Sequence, residues 1–213
     1  MTVYVPRSDC QIKDLANIYT KLFGDITDGT FVEVGAYDGV SYSNTVFLAE
    51  LGWRGLYIEP DIRSFTKCMA AHSDQLNISC ANLAMGRRNG ELVMFKKHGD
   101  YSIGDPAMAV VLGAQEDLYT AETTQLDALL WAAMIHPGFQ LLVIDVDGME
   151  MDVLDGFSID HYKPQMVIIE THQLHPDGRL RVHTDAINAH MAAHNYSPCN
   201  VDEINTIFVQ TQE

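Results

Sequence analysis

FVEVGAYDG at residues 31–39, followed about twenty residues later by GLYIEP at 55–60, decides how this chain is read. An apolar strand runs into a glycine loop, a helix follows, and a second strand closes on Glu59 and Pro60. That order is a nucleoside-binding βαβ unit, in which the loop lets a ligand approach the backbone and the distant acid accepts two ribose hydroxyls. The expected ligand carries adenosine.

The loop narrows the choice of cofactor. A dinucleotide fingerprint places closely spaced glycines and a helix N-terminus against two phosphates. Here Gly35 and Gly39 are four apart, Tyr37 stands where the middle glycine would be, and Asp38 puts a negative charge where a pyrophosphate would lie. A carboxylate there repels phosphate and suits an ammonium and a sulfonium, the charges of S-adenosylmethionine. Capping of the next helix is the competing role for Asp38.

Working outward, 213 residues fit one α/β domain with a core large enough to need neither disulfide nor metal. Thirteen basic against twenty-nine acidic residues give a net charge of −16, which opposes nucleic acid and anionic membranes as partners. Cys10, Cys68, Cys80 and Cys199 form no CxxC pair and read as reduced, mostly buried thiols of a cytoplasmic protein. No export signal and no apolar run of membrane-spanning length is visible.

Ser8 and Gln11 stand in capping-box spacing before Ile12, Leu15, Tyr19, Leu22 and Phe23, predicting an N-terminal helix that ends at Gly24. After the βαβ unit, Asp61 opens a further helix, residues 77–80 read as a third strand, and ELVMFKK from Glu91 as another. Residues 98–122 show no period and are expected to be an irregular insertion, either a substrate lid or a surface excursion. LDALLWAAMI predicts a helix, LLVID a central parallel strand ending on Asp145, and QMVIIETH another ending near Glu170 and His172. A helix over 185–195 precedes YSPC and NTIFVQ, read as a terminal antiparallel pair. The whole predicts an α/β fold with a mostly parallel, doubly wound sheet.

Ligands of such sheets sit outside the carboxyl ends of the strands, where strand order reverses. The residues at those ends are Glu33 and Gly35, Glu59, Asn82, Asp145, and Glu170 with His172. The pocket is expected there; Tyr37, Tyr42 and Tyr101 could supply aromatic walls or hydroxyls, with packing the favoured role for each, and HPDGR at 175–179 is placed to border it, although it is also ordinary turn chemistry.

Taken together, FVEVGAYDGVSYSNT, GWRGLYIEP, TTQLDALL, VIDVDGMEMDVLDGF, VIIETH and NTIFV resemble, in that order, the FkbM family of S-adenosylmethionine-dependent methyltransferases. The family usually reads DVEG where this chain has DVDG at 145–148. The resemblance implies a Rossmann-like methyltransferase fold with an antiparallel last strand and O-methylation of small molecules or sugars. It further implies that Glu33, Gly35, Ala36, Asp38 and Gly39 surround the methionine part of the cofactor, that Ser43 and Asn44 extend that contact, that Glu59 takes the ribose beside Pro60, and that Asn82 and Leu83 lie by the adenine.

Methyl transfer to oxygen is an in-line displacement that needs alignment and a proton acceptor. The candidate bases are Asp145, Glu170 and His172, with Asp145 preferred for its position on the fourth strand. Asp145, Asp147, Glu170 and His172 could also converge on magnesium or another hard cation. Asp147 and Glu150 are in capping-box spacing, which explains Asp147 without a metal. His190 and His194, one helical turn apart without further ligands, read as a solvated face. The competing functions are a nicotinamide-dependent oxidoreductase and a noncatalytic nucleoside-binding module.

Overall fold

The computed structural model describes residues 4–7, 10–96, 102–104, 106, 109–110, 117–171, 173–174, 180–181 and 184–211. Its strands are β1 Thr30–Val34, β2 Arg54–Ile58, β3 Ile78–Ala81, β4 Ala84–Met85, β5 Gly90–Lys96, β6 Ser102–Ile103, β7 Asp117–Thr124, β8 Leu141–Ile144, β9 Met166–Glu170, β10 Gln173–Leu174, β11 Leu180–Arg181, β12 Tyr196–Val201 and β13 Asn205–Gln210. The helices are α1 Leu15–Phe23, α2 Val46–Glu50, α3 Ile62–Ala71, α4 Leu126–Ala132, α5 Glu150–Asp155, α6 Ile159–Tyr162 and α7 Thr184–Ala193.

Seven strands form the main sheet in the order β3-β2-β1-β8-β9-β13-β12. All neighbours are parallel except β13, which runs antiparallel to β9 and β12. The chain winds outward from β1 to β3, then returns to β8 and winds the other way. Strand order therefore reverses between β1 and β8, and a crevice opens at their carboxyl ends.

Side chains of a strand alternate between faces, and both faces here are covered. Val32, Val34, Leu142, Ile144, Val167 and Ile169 pack with Leu126 and Leu130 of α4, Val153 and Leu154 of α5, and Ile187 and Met191 of α7. Phe31, Tyr57, Leu141, Val143, Met166 and Ile168 pack with Leu15, Tyr19 and Phe23 of α1, Phe47 and Leu48 of α2, and Cys68 of α3. Burial of each large side chain contributes about 1.5–3 kcal/mol. The doubly wound sheet and the antiparallel C-terminal pair are those expected from the sequence.

Two local expectations change. The N-terminal helix begins only at Leu15, with Asp14 at its N-cap making no side-chain cap bond. Ser8 lies outside the described residues, and Gln11 is used elsewhere, as shown below. The end of the stretch read as irregular is ordered: β7 pairs antiparallel with the whole of β5 and parallel with β4, in a second sheet of order β4-β7-β5-β6. Half-buried Tyr119 and buried Ala121 alternate with exposed Leu118, Thr120 and Glu122. The inward residues are too small or too polar to give a hydrophobic period. Most of residues 98–116 lies outside the described residues. No described helix is long and apolar enough to cross a membrane.

Candidate active site

A cleft of about 750 Å³ opens at the crevice between β1 and β8. One side is lined by Glu33, Gly35, Ala36, Ser43, Glu59 and Pro60, with Tyr37 and Tyr42 as aromatic walls. The other side is lined by Gln11, Asp145, Asp147 and Glu170, and an apolar wall is made by Met85, Leu92, Met94, Met149 and Ile204. No lysine, arginine or histidine is among the described residues that line it.

The glycine loop turns tightly because Gly35 N–H and Ala36 N–H both donate to Ile58 O of β2, at 2.9 and 3.0 Å. Gly35 has φ +87°, and a Cβ there would stand 1.7 Å from Asp145 O. The backbone leaving β8 at Asp145 thus passes so close to the loop that only glycine fits. Tyr37 takes the left-handed conformation at φ 50°, and Lys67 Nζ lies 5.5 Å from its ring centroid.

Asp38 is consumed within the turn. Its Oδ1 accepts from Val40 N–H at 2.9 Å and Ser41 N–H at 2.7 Å, and its Oδ2 from Ser41 Oγ at 2.8 Å. It does not line the cleft, nor does it cap the next helix, which begins at Val46 with Thr45 as its N-cap; its oxygens instead close the 38–41 turn. Gly39 faces away too: a Cβ there would meet Cys68 Sγ at 2.6 Å and His72 Nε2 at 2.8 Å.

The acidity of the cleft comes from other residues. Glu33 is buried and accepts from Ser43 Oγ at 3.2 Å and from Thr45 Oγ1. Burial raises its pKa to about 7, against the lowering effect of those hydroxyls. Ser43 Oγ also accepts from Thr45 N–H and Val46 N–H, both at 3.1 Å, so Glu33, Ser43 and the start of α2 form one network.

Glu59 stands at the end of β2, 7% exposed. Its Oε2 accepts from Tyr37 N–H at 2.9 Å and its Oε1 from Asp61 N–H at 2.8 Å. One carboxylate thereby fixes the glycine loop and the start of α3 while lining the cleft. Asp61 caps α3 by accepting from Arg63 N–H at 3.1 Å. Asn82 Nδ2 donates to Glu59 O and Pro60 O, both at 2.9 Å. Neither Asn82 nor Leu83 lines the cleft; Ala84 and Met85, two residues further on, do.

Across the crevice, Asp145 and Glu170 share a hydrogen bond. Burial raises the pKa of both. For Asp145 that rise is opposed by hydrogen bonds from Gln11 and Glu170, whereas Glu170 is pushed well up by burial and then by the charges of Asp145, Asp147 and Glu150. Of the coupled pair, Glu170 is the more strongly raised.

Gln11 Nε2 donates to Asp145 Oδ2 at 3.0 Å, and Asn44 Nδ2 donates to Gln11 Oε1 at 3.1 Å. Asn44 is buried behind the cleft rather than lining it. Glu150 reaches back to accept from Gly148 N–H at 3.0 Å and Val146 N–H at 3.3 Å, and burial raises its pKa to about 7. Asp147 does not cap α5, whose N-cap is Met149; it sits at φ 51° in the turn after β8.

Among the described residues no group of three or more His, Cys, Asp or Glu is arranged to hold a metal ion. The magnesium reading thus has no support in this donor set. His172, Tyr101 and residues 175–179 lie outside the described residues. His194 Nδ1 pairs with Asp160 Oδ2 at 2.8 Å, and neither His190 nor His194 lines the cleft.

Sequence reasoning missed Gln11, Met85, Leu92, Met94, Met149 and Ile204. Apart from Gln11, these are single apolar residues from separate segments, which carry no local motif. Gln11 had only a capping-box spacing to mark it.

Residues 33–198 match the model of the methyltransferase FkbM domain. No curated protein matches the sequence. Among solved structures, the chain resembles a methylase of Haemophilus influenzae (TM-score 0.50, 8% identity, covering 95% of this chain and 91% of that one). It also resembles the ribosomal protein L11 methylase of Lactobacillus delbrueckii subsp. bulgaricus (0.49, 13%, 93% and 78%) and the methyltransferase yhhF of Escherichia coli (0.49, 11%, 98% and 92%). At these identities the likeness is one of fold.

Proposed function

The chain belongs to the FkbM methyltransferase domain family, and we propose that it transfers a methyl group from S-adenosylmethionine to a hydroxyl of a small molecule or sugar. The observation that carries this reading is Glu59. Its carboxylate lines the cleft at the end of the second strand, held by Tyr37 N–H and Asp61 N–H, where a vicinal diol needs an acceptor. Glu33 lies beside it in the cleft wall, suited to the cofactor's ammonium. Buried carboxylates without a cationic side chain disfavour a diphosphate, which weighs against a nicotinamide dinucleotide.

Bound S-adenosylmethionine would supply an electrophilic methyl group on a sulfonium sulfur. The chain's part is to align the acceptor and take its proton. Asp145 is the base in this reading, since Gln11 and Glu170 both donate to it and so favour its ionised form against the effect of burial. Glu170, holding a proton, positions Asp145. The apolar wall of Met94, Met149 and Ile204 receives the body of the acceptor and keeps water from the reacting atoms.

Calorimetric titration with S-adenosylmethionine and with NAD tests this directly. We expect binding of the first only, and a loss of at least about tenfold in Glu59→Ala, the worth of a charge-assisted hydrogen bond. Binding of NAD without S-adenosylmethionine would overturn the proposal. A screen of sugars, phenols and carboxylic acids read by mass gain would then identify the acceptor.

A further inference from the structure

We propose that Cys68 and Cys80 are an oxidisable thiol pair whose joining loosens the cofactor loop. Cys68 is on α3 and Cys80 on β3, and their sulfurs stand 3.7 Å apart, within thiol hydrogen-bond contact. Cys68 is 1% exposed, whereas Cys80 is half-buried on an edge strand of the main sheet, where a small oxidant reaches it. The hydrogen bond between them lowers the pKa of Cys80 and raises that of Cys68. This is the division of roles between an attacking and a resolving thiol.

With hydrogen peroxide as oxidant the step balances. Cys80 thiolate attacks one peroxide oxygen and the O–O bond breaks, giving the sulfenic acid and hydroxide. Cys68 sulfur then attacks the Cys80 sulfur, the S–O bond breaks, and the thiol proton leaves with the hydroxyl as water. The two cysteines together lose two hydrogens, and peroxide is reduced to two waters.

A disulfide has its sulfurs about 2.05 Å apart, so joining this pair closes a gap of about 1.6 Å from the present 3.7 Å. Cys80 pairs in register with Tyr57 inside the sheet, so Cys68 and α3 are the side that yields. Cys68 Sγ is the nearest atom to the place a Gly39 side chain would occupy, and His72 Nε2 holds Gly39 O at 3.0 Å. At its other end α3 is tied through Asp61 N–H to Glu59. Displacing α3 thus disturbs the glycine loop and the Glu59 carboxylate together.

The effect on cofactor rests on the methyltransferase reading above; formation of the bond does not. The full chain is treated with hydrogen peroxide, quenched, alkylated under denaturing conditions and mapped by peptide mass. We expect a Cys68–Cys80 linked peptide, reversed by dithiothreitol. Titrated with S-adenosylmethionine, the linked protein should bind at least about threefold more weakly than the reduced protein, the effect of lost packing beneath the loop.

Cys80→Ala, at a half-buried position, should keep its affinity after the same treatment. Absence of the linked peptide at a peroxide dose that modifies exposed Cys199 overturns the proposal. So does equal affinity of linked and reduced protein. If the reduced protein fails to bind S-adenosylmethionine, the methyltransferase reading falls, a result separate from the linkage.

Discussion

Gln11 Nε2 donates to Asp145 Oδ2 at 3.0 Å across 134 positions of sequence, so a residue ahead of the first helix completes the strand-end acid at the centre of the cleft. Its amide is oriented by Asn44 Nδ2, which donates to Oε1 at 3.1 Å, leaving the nitrogen to face the carboxylate.

Gln11→Leu removes a donor that favours the ionised form of Asp145. The midpoint at which Asp145 loses its proton should rise, since one of the two hydrogen bonds that oppose the effect of burial is lost. Glu33, Asp147, Glu150 and Glu170 surround the same group, and each acts in the same upward direction when charged. Carbon-13 carboxyl resonances of labelled aspartate follow the change. The acid limb of the methyl-transfer profile should move with it, and an unmoved Asp145 titration would break the link.

Asp38 separates charge from geometry. Asparagine retains an oxygen able to accept from Val40 N–H and Ser41 N–H, so Asp38→Asn should bind S-adenosylmethionine within about twofold of the parent, whereas Asp38→Ala, lacking those turn hydrogen bonds worth about 1 kcal/mol, should bind about fivefold more weakly. Equal losses in both variants would mean that the charge matters after all.

Gly35→Ala places a methyl group 1.7 Å from Asp145 O at a backbone with φ +87°. Strand β8 must retreat or the loop must flip, and a loss of at least about 3 kcal/mol is expected. Denaturant unfolding of the ligand-free protein measures it; a loss under about 1 kcal/mol would show that the crevice is looser than described.

Stability should fall with rising pH. Glu33 and Glu150 each titrate at about 7 in the folded chain, above the unfolded value of 4.5. A raised carboxyl contributes stability in full below the unfolded value, and that contribution is lost as pH climbs through the folded one. The loss is on the order of 3 kcal/mol for each group, so the ligand-free protein should melt at a lower temperature at pH 8 than at pH 5. Glu150→Gln keeps an oxygen for Gly148 N–H and Val146 N–H, and should narrow that difference; an unchanged pH slope would count against the assignment.

The main sheet was legible because its strands are short apolar runs ending on polar residues, and periodicity reports that directly. Glu59 and Gly35 were legible for the same local reason, one closing a strand and the other opening a turn. Asp38 was misread because charge is visible in a sequence and the direction of a side chain is not: Val40 N–H and Ser41 N–H claim its oxygens. Strand β7 was invisible because Tyr119 and Ala121 turn inward without a strong apolar signature. Gln11 and Ile204 reach the cleft only through tertiary folding, which no local pattern records.

The smaller sheet, β4-β7-β5-β6, is built from one continuous stretch between β3 and α4, and it supplies Met85, Leu92 and Met94 to the cleft, whereas Gly35 and Glu59 belong to the main sheet and its loops. On the proposed reading, one length of the chain thus carries part of the acceptor wall, which Met149 and Ile204 complete from outside it. If the proposed reading holds, a graft of that stretch from a relative should change which acceptors are taken while Gly35 and Glu59 keep the methyl source.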